Sequence, residues 1–205
     1  MTQKNQNGLD AKMIVLNDVT GVLICGGQSK RFGTDKRFYK FKGETLFEIS
    51  FRLLKSVCKD VICVFRNDVP QELRSYPILF DDLTLEGPMA AMCAALNHIQ
   101  TKYMLCLPCD MPQMTPQCLN FIATQPHDFS VVVPKTHQLH PLVGRYSKDL
   151  YFELKSFGLQ KSYGLSQFIL STSSGKRKIL EASFWKAQGI SLSVFENFNV
   201  PGISP

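Results

Sequence analysis

Residues Gly21 to Lys36 read GVLICGGQSKRFGTDK, an apolar run followed by a glycine pair, the cations Lys30, Arg31 and Lys36, and Asp35. That combination suits an anion. Gly26-Gly27 lets the backbone turn and approach a ligand with no Cβ in the way. Arg31 and Lys36, four and nine residues past the second glycine, are spaced to reach several phosphates of one extended molecule. The stretch is neither G-x-G-x-x-G nor a Walker loop, because Gly33 is followed by Thr34-Asp35-Lys36. A second set of polar residues suits metal or ligand contact: Asp81, Asp110, Asn197 and Asn199. Asp110 sits in Pro108-Cys109-Asp110-Met111-Pro112, directly after an apolar run. A carboxylate stiffened there by prolines could hold Mg²⁺ against phosphate oxygens, although a turn aspartate before proline has the same appearance.

The elements that must position these residues can be read from periodicity. Val22-Leu23-Ile24 is a buried strand beginning near Val19. Thr45 to Glu48 has the form of a capping box, and Leu46, Ile49, Leu53, Leu54 and Val57 share the helical face that follows. Val61–Phe65 and Pro77–Phe80 are short strands ending in polar residues. Gly87-Pro88 opens a helix with Met89, Met92, Cys93, Leu96 and Ile99 on its stripe. Lys102–Leu107 is a strand, Thr115-Pro116 caps a helix and Phe129–Val133 is a strand. Beyond His140 the pattern gives a strand over Pro141–Tyr146, a cap at Ser147, a short helix over Ser162–Leu170 and a last strand over Ser193–Phe198. Lys176-Arg177-Lys178 reads as a solvated basic face. The alternation predicts an α/β fold of three layers, Rossmann-like, with a mostly parallel sheet covered by helices on both faces. Ligands in such sheets sit beyond the carboxyl ends of the strands, where Asp81 and Asp110 are expected. Residues 1–17 read as a flexible leader and 18–205 as one domain.

The motif Ile24-Cys25-Gly26-Gly27-Gln28-Ser29-Lys30-Arg31-Phe32-Gly33-Thr34-Asp35-Lys36 resembles the L-A-G-G-x-S-x-R-M-G-x-D-K of the molybdenum cofactor guanylyltransferases, within the small nucleotidyltransferases of nucleotide-diphospho-sugar transferase type. Cys25 stands for alanine and Phe32 for methionine. Further landmarks are similar and in order: Asp81; Gly87-Pro88-Met89-Ala90-Ala91 for G-P-L-A-G; Cys109-Asp110-Met111-Pro112 for C-D-x-P; His140-Pro141; and Asn197-Phe198-Asn199-Val200-Pro201 for N-x-N-T-P. The family usually has an asparagine ending its second strand, where this sequence has Val64-Phe65-Arg66 with Asn67 next.

The resemblance implies transfer of GMP from GTP to molybdopterin with release of pyrophosphate, with Mg²⁺ as cofactor. It implies nucleotide contacts from Ile24, Cys25, Gly26, Gly27, Lys36, Asp81 and Asp110, with catalytic roles for Arg31, Lys36 and Asp110. The metal falls to Asp110 and Asn199, and the pterin side to Gly87, Asn197 and Asn199. It also implies passing contacts with proteins that deliver molybdopterin or receive the finished cofactor. A cytidylyltransferase, a sugar-phosphate nucleotidyltransferase or a non-catalytic nucleotide-binding protein would share much of this pattern.

Composition narrows the field further. The 205 residues are 44% hydrophobic and 20% charged, ordinary for a chain with a substantial core. A net charge of +6 suits an anionic ligand, but the cations are scattered, so nucleic acid is not the expected partner. No apolar run approaches a membrane span or signal core, and a cytoplasmic location is expected. Seven cysteines, an odd number within core-like segments, point to reduced thiols. Cys106-Leu107-Pro108-Cys109 has the C-x-x-C form of a redox pair or half a zinc site. However, no second pair follows it, and His98, His127, His137 and His140 lack matching spacing.

Overall fold

The computed structural model describes residues 15–26, 35–160 and 164–198. In chain order the elements are β1 (Leu16–Ile24), β2 (Lys40–Phe41), β3 (Glu44–Thr45), α1 (Leu46–Val57), β4 (Cys58–Phe65), β5 (Ile78–Phe80), α2 (Pro88–His98) and β6 (Tyr103–Pro108). They continue with α3 (Pro116–Ala123), β7 (Val131–Pro134), β8 (Gly144–Ser147), α4 (Tyr151–Leu159), α5 (Leu165–Ser171), β9 (Arg177–Leu180) and α6 (Ala182–Ala187).

Local chemistry sets the helix starts. Thr45 Oγ1 accepts from the Glu48 N–H at 3.2 Å, while the Glu48 carboxylate accepts from the Thr45 N–H at 2.9 Å, completing the expected capping box of α1. Gly87 sits at φ 60°, ψ −149°, a conformation only glycine adopts readily, and Pro88 follows at the first position of α2.

The main sheet runs β5-β4-β1-β6-β8-β7-β9. All its pairings are parallel except those of β8, which is antiparallel to both β6 and β7. Successive residues of β1 alternate between faces. Leu23 packs with α1, α3 and α6 residues such as Phe47, Leu119 and Trp185, whereas Val22 and Ile24 pack with α2, α4 and α5 residues such as Met92, Leu154 and Phe168. The result is the expected three-layer α/β/α arrangement. None of the described helices is long and apolar enough to cross a membrane.

Four details depart from the sequence reading. β1 starts at Leu16, so Leu16 and Asn17 are not leader, and the pairing with β4 shifts register between Leu16 and Thr20. The expected last strand over Ser193–Phe198 is not a strand: Leu192–Phe195 is a 3₁₀ turn capped by Ser191, the backbone is extended at Glu196, and Phe198 then reaches the Asp110 loop. There β9 already occupies the sheet edge, and the turn buries Val194 and Phe195 instead. The basic cluster feeds β9: Lys176 and Lys178 are exposed, but Arg177 donates to the carbonyls of Ile169 (2.9 Å) and Leu170. Finally, α6, which buries Trp185, was not anticipated.

Candidate active site

The sheet order places β4 and β5 on one side of β1, and β6 on the other. The crossover direction therefore reverses between β1 and β6, leaving a crevice past their carboxyl ends. A cavity of ≈ 390 Å³ lies there. Its floor is Ile24, Cys25 and Gly26 from the end of β1 and Pro108, Cys109 and Asp110 from the end of β6, whose register pairs Ile24 with Pro108. Asp35, Lys36 and Arg37 form one wall, Gln138 to Val143 the other, and Asn197 closes a corner.

Each of these residues is held by packing or hydrogen bonds. Lys36 and Arg37 stand on a 3₁₀ turn, Lys36–Phe38, whose first residue is capped by the Asp35 side chain accepting from the Arg37 N–H at 3.0 Å. The Lys36 ammonium donates to Asp110 Oδ2 at 3.0 Å, with the two side chains 18% and 26% exposed. The Asp110 loop is tied down on two sides. The Ser50 hydroxyl donates to the Cys109 carbonyl at 3.4 Å, and the Phe198 N–H donates to the Asp110 carbonyl at 2.6 Å. Phe198 also rests against Tyr39 and Phe41, with ring centroids 6.4 and 5.9 Å away. Thus the extended C-terminal segment clamps the lysine wall to the aspartate floor and carries Asn197 into the cavity.

Arg37 and Asp35 received no role from the sequence. Arg37 forks onto the Asp35 carboxylate (Nε to Oδ1 2.9 Å, Nη2 to Oδ2 2.5 Å), lies 5.2 Å above the Phe65 ring and reaches the Cys25 carbonyl at 3.5 Å. Burial works to raise the Asp35 carboxyl, but the hydrogen bonds and charge of Arg37 outweigh it and hold it below its usual range. The only signal in the sequence was a second cation directly after Lys36. His140 closes the opposite wall: its N–H donates to the Pro134 carbonyl at 3.0 Å, and its Nε2 lies 2.8 Å from Thr136 Oγ1. Burial, helped by nearby His137, lowers its pKa and favours the neutral ring.

Among the expected site residues, the structure brings Ile24, Cys25, Gly26, Lys36, Asp110 and Asn197 together around one cavity. Gly27, Arg31 and Asn199 lie outside the described residues. Asp81 and Gly87 are not among the cavity's lining residues. Asp81 follows β5 and donates its N–H to the Phe65 carbonyl at 2.8 Å. Its Oδ1 is buried with no partner among the described residues, and burial pushes its carboxyl up to about 6 against the opposing charge of Arg66. The C-x-x-C motif is divided by the sheet. Cys106 faces the α2 side, 3.4 Å from the Met92 sulfur, whereas Cys109 faces the α1 side, 3.6 Å from the Cys25 sulfur.

The residues suit a divalent cation shared with a phosphorylated ligand. A Cβ added at Gly26 would meet no atom of the described residues within 4 Å, so on their side the glycine leaves open space on the cavity floor. No group of three or more His, Cys, Asp or Glu side chains among the described residues could cage a metal alone. With the Asp35 carboxylate tied to Arg37, Asp110 beside open space is the donor set of an ion that takes its remaining ligands from phosphate and water, as Mg²⁺ commonly does.

Fold and site together define an α/β protein that can hold a phosphorylated ligand at the topological switch point of its sheet. The chain belongs to the MobA-like NTP transferase family, whose domain profile matches residues 21–177. A probable molybdenum cofactor guanylyltransferase of Geobacillus sp. (strain WCH70) is 28% identical over 193 residues, covering 91% of this chain and 96% of that protein. One from Aquifex aeolicus is 32% identical over 131 residues, 64% of this chain and 65% of that protein. Among solved structures, a protein of Aquifex aeolicus VF5 superimposes with TM-score 0.71 at 25% identity, covering 90% of this chain and 94% of its own. The molybdopterin-guanine dinucleotide biosynthesis protein A of Archaeoglobus fulgidus shares the fold with TM-score 0.72 at 20% identity, covering 89% and 93%.

Proposed function

We propose that this protein transfers GMP from GTP to the terminal phosphate of molybdopterin, releasing pyrophosphate. The observation that carries the proposal is the Lys36–Asp110 pair, set in the cavity at the β1–β6 switch point of a MobA-like NTP transferase chain. The relatives named as guanylyltransferases support the choice of nucleotide.

The acceptor is itself an anionic phosphate, so the reaction needs no protein nucleophile, and catalysis reduces to alignment and charge neutralisation in an in-line displacement. Mg²⁺, held by Asp110 with Asn199 as a further oxygen donor, would neutralise charge on the phosphate oxygens. The Cys25 N–H is already donated to the Val64 carbonyl at 2.8 Å, so the cradle for those oxygens would fall to the Gly26 and Gly27 amides. Lys36 is already within the cavity and turns its ammonium from Asp110 to the α-phosphate, where charge grows in the transition state. Arg31 steadies the leaving pyrophosphate. Arg37 is held in its fork with Asp35 and fixes the turn that presents Lys36. Asp81, whose buried Oδ1 has no partner among the described residues, accepts from donors on the guanine and ribose side, while Gly87, Asn197 and Asn199 serve the pterin side.

The test is thermal stabilisation by GTP, CTP, ATP and UTP at equal concentration with Mg²⁺, followed by a GMP-transfer assay on molybdopterin. GTP is expected to stabilise most, by ~2.7 kcal/mol at a hundred times its dissociation constant. Preferential stabilisation by CTP would move the assignment to cytidylyl transfer, and stabilisation by none of the four would remove the nucleotide site.

A further inference from the structure

In the floor of the cavity, two thiols face each other across adjacent parallel strands. Ile24 pairs with Pro108 in register, so Cys25 and Cys109 are the next residues on each strand, on the same side of the sheet. Their sulfurs are 3.6 Å apart, and both residues line the cavity while being only 6% and 9% exposed. Neighbouring strands lie ~4.8 Å apart, inside the ~4.4–6.8 Å Cα separation that a disulfide accepts. The other thiols are placed differently. Cys106 points through the opposite face of the sheet toward Met92, and Cys63, fully buried on β4, also lies against the Cys25 thiol but does not line the cavity.

We propose that Cys25 and Cys109 form a reversible disulfide across the floor of the active cavity when the protein meets a two-electron thiol oxidant. Each thiol gives up its hydrogen, the pair gives up two electrons, and one S–S bond forms. Hydrogen peroxide accepting them becomes two waters, and an azo oxidant becomes the corresponding hydrazine. Bonding draws the sulfurs from 3.6 Å to ~2.05 Å, an approach of about 1.5 Å shared between rotation of the two side chains and displacement of the β1 and β6 ends. Those ends carry Gly26 and Asp110. Because a misplacement of about 1 Å in such a site can cost ~10²-fold in rate, the bonded form should be nearly inactive. The loss of activity rests on the transfer reaction proposed above, whereas the bond itself rests on the geometry alone.

The experiment treats the reduced full-length protein with the azo oxidant diamide, blocks the remaining thiols, and maps the linkage by peptide mass spectrometry. GMP transfer is measured on the same samples before and after dithiothreitol. A Cys25–Cys109 linkage is expected, with transfer falling ~10²-fold and returning on reduction. Cys109→Ala, with Cys109→Ser in reserve should the alanine variant fold poorly, should keep its own reduced transfer rate, whatever that is, unchanged by diamide. A Cys25–Cys63 or Cys106–Cys109 linkage, or no linkage, overturns the proposal, and a Cys25–Cys109 bond with undiminished transfer overturns its effect on the site. Should the reduced parent transfer no GMP, the functional proposal fails, yet the linkage map still decides the bond.

Discussion

Lys36 and Asp110 neutralise each other across 3.0 Å in the absence of substrate, but their loss should be felt at different stages of the reaction. Asp110→Asn keeps the shape of the side chain and removes a negative charge that a hard cation needs. Transfer should therefore weaken at limiting Mg²⁺ and recover in part at high Mg²⁺ or with Mn²⁺. Lys36→Ala removes a cation that matters most once charge has built on the transferring phosphate. Its loss should appear in kcat, by roughly 10² to 10³, and should not respond to metal. Steady-state transfer across a Mg²⁺ titration separates the two, and a parent-like kcat in Lys36→Ala would refute the role assigned to it. Asp81 gives a prediction of a different kind. Burial raises its folded-state carboxyl to about 6, above its unfolded value of ~4, so the folded protein binds that proton more tightly. The resulting stabilisation is complete below about pH 4 and is lost as pH rises through about 6. Asp81→Asn should then melt higher than the parent at pH 8, on the order of 1 kcal/mol once partial exposure is discounted, and equally at pH 4, while binding GTP more weakly. Equal melting of the two proteins at pH 8 would show that the carboxylate is not under this strain. Asp110 was legible in the sequence because it follows an apolar run, whereas Asp81, picked out by the same signal, does not line the cavity. Arg37 was not legible, since a cation beside Lys36 looks like surface until its fork with Asp35 is seen.

At the scale of elements, the sequence was clearest where one residue type had one use. The capping box at Thr45, Pro88 after the positive-φ Gly87 and the Thr115-Pro116 helix start all stand where they were expected. Legibility falls after His140, where elements are short and depend on distant partners. The alternation in Arg177–Leu180 becomes a strand only because β7 offers it an edge, and α6 is anchored by Trp185, whose ring packs against Phe184 and Phe195 with centroids 5.0 Å away. Arg145 shows how much such a partner can matter. It lies in β8, fully buried, and its guanidinium donates to the carbonyls of Ala123, Gln125, Pro126 and Phe129 at 2.5–3.1 Å, with its centre 4.4 Å from the Tyr103 ring. One side chain thus closes the end of α3 and the turn leading into β7. Arg145→Met keeps the apolar stem but strands those carbonyls, and each unpaired buried group costs about 1–3 kcal/mol. A loss of at least ~3 kcal/mol in urea unfolding is expected, with Arg145→Lys recovering only part, because an ammonium cannot span the same fork. A loss under ~1 kcal/mol would mean that water replaces the guanidinium without difficulty.

For the molecule as a whole, the cavity joins segments far apart in the chain: the β1 end, the Lys36 turn, the Asp110 loop, the wall at Gln138–Val143 and the C-terminal segment at Asn197. A ligand that touches all of them binds only the folded state, so its binding energy adds to global stability. The net charge of +6 should make that coupling sensitive to salt, because part of the attraction for a polyanion comes from cations outside the cavity. Ionic screening shortens the reach of those cations from about 10 Å at 0.1 M salt to about 3 Å at 1 M. It acts less on the partly buried Lys36–Asp110 pair. The thermal shift produced by a fixed GTP and Mg²⁺ concentration should therefore shrink steadily as salt is raised over this range, yet not vanish. The melting temperature without nucleotide should change less, since exposed pairs such as Arg52–Glu44 and Lys135–Glu181 contribute little. For a chain of about this length, 1 kcal/mol of ligand stabilisation moves the midpoint by roughly 2–4 °C, so the trend is measurable by scanning calorimetry. A nucleotide shift indifferent to salt would place all of the attraction inside the cavity, whereas one abolished by 1 M salt would place the phosphates on the surface and contradict the buried site described above.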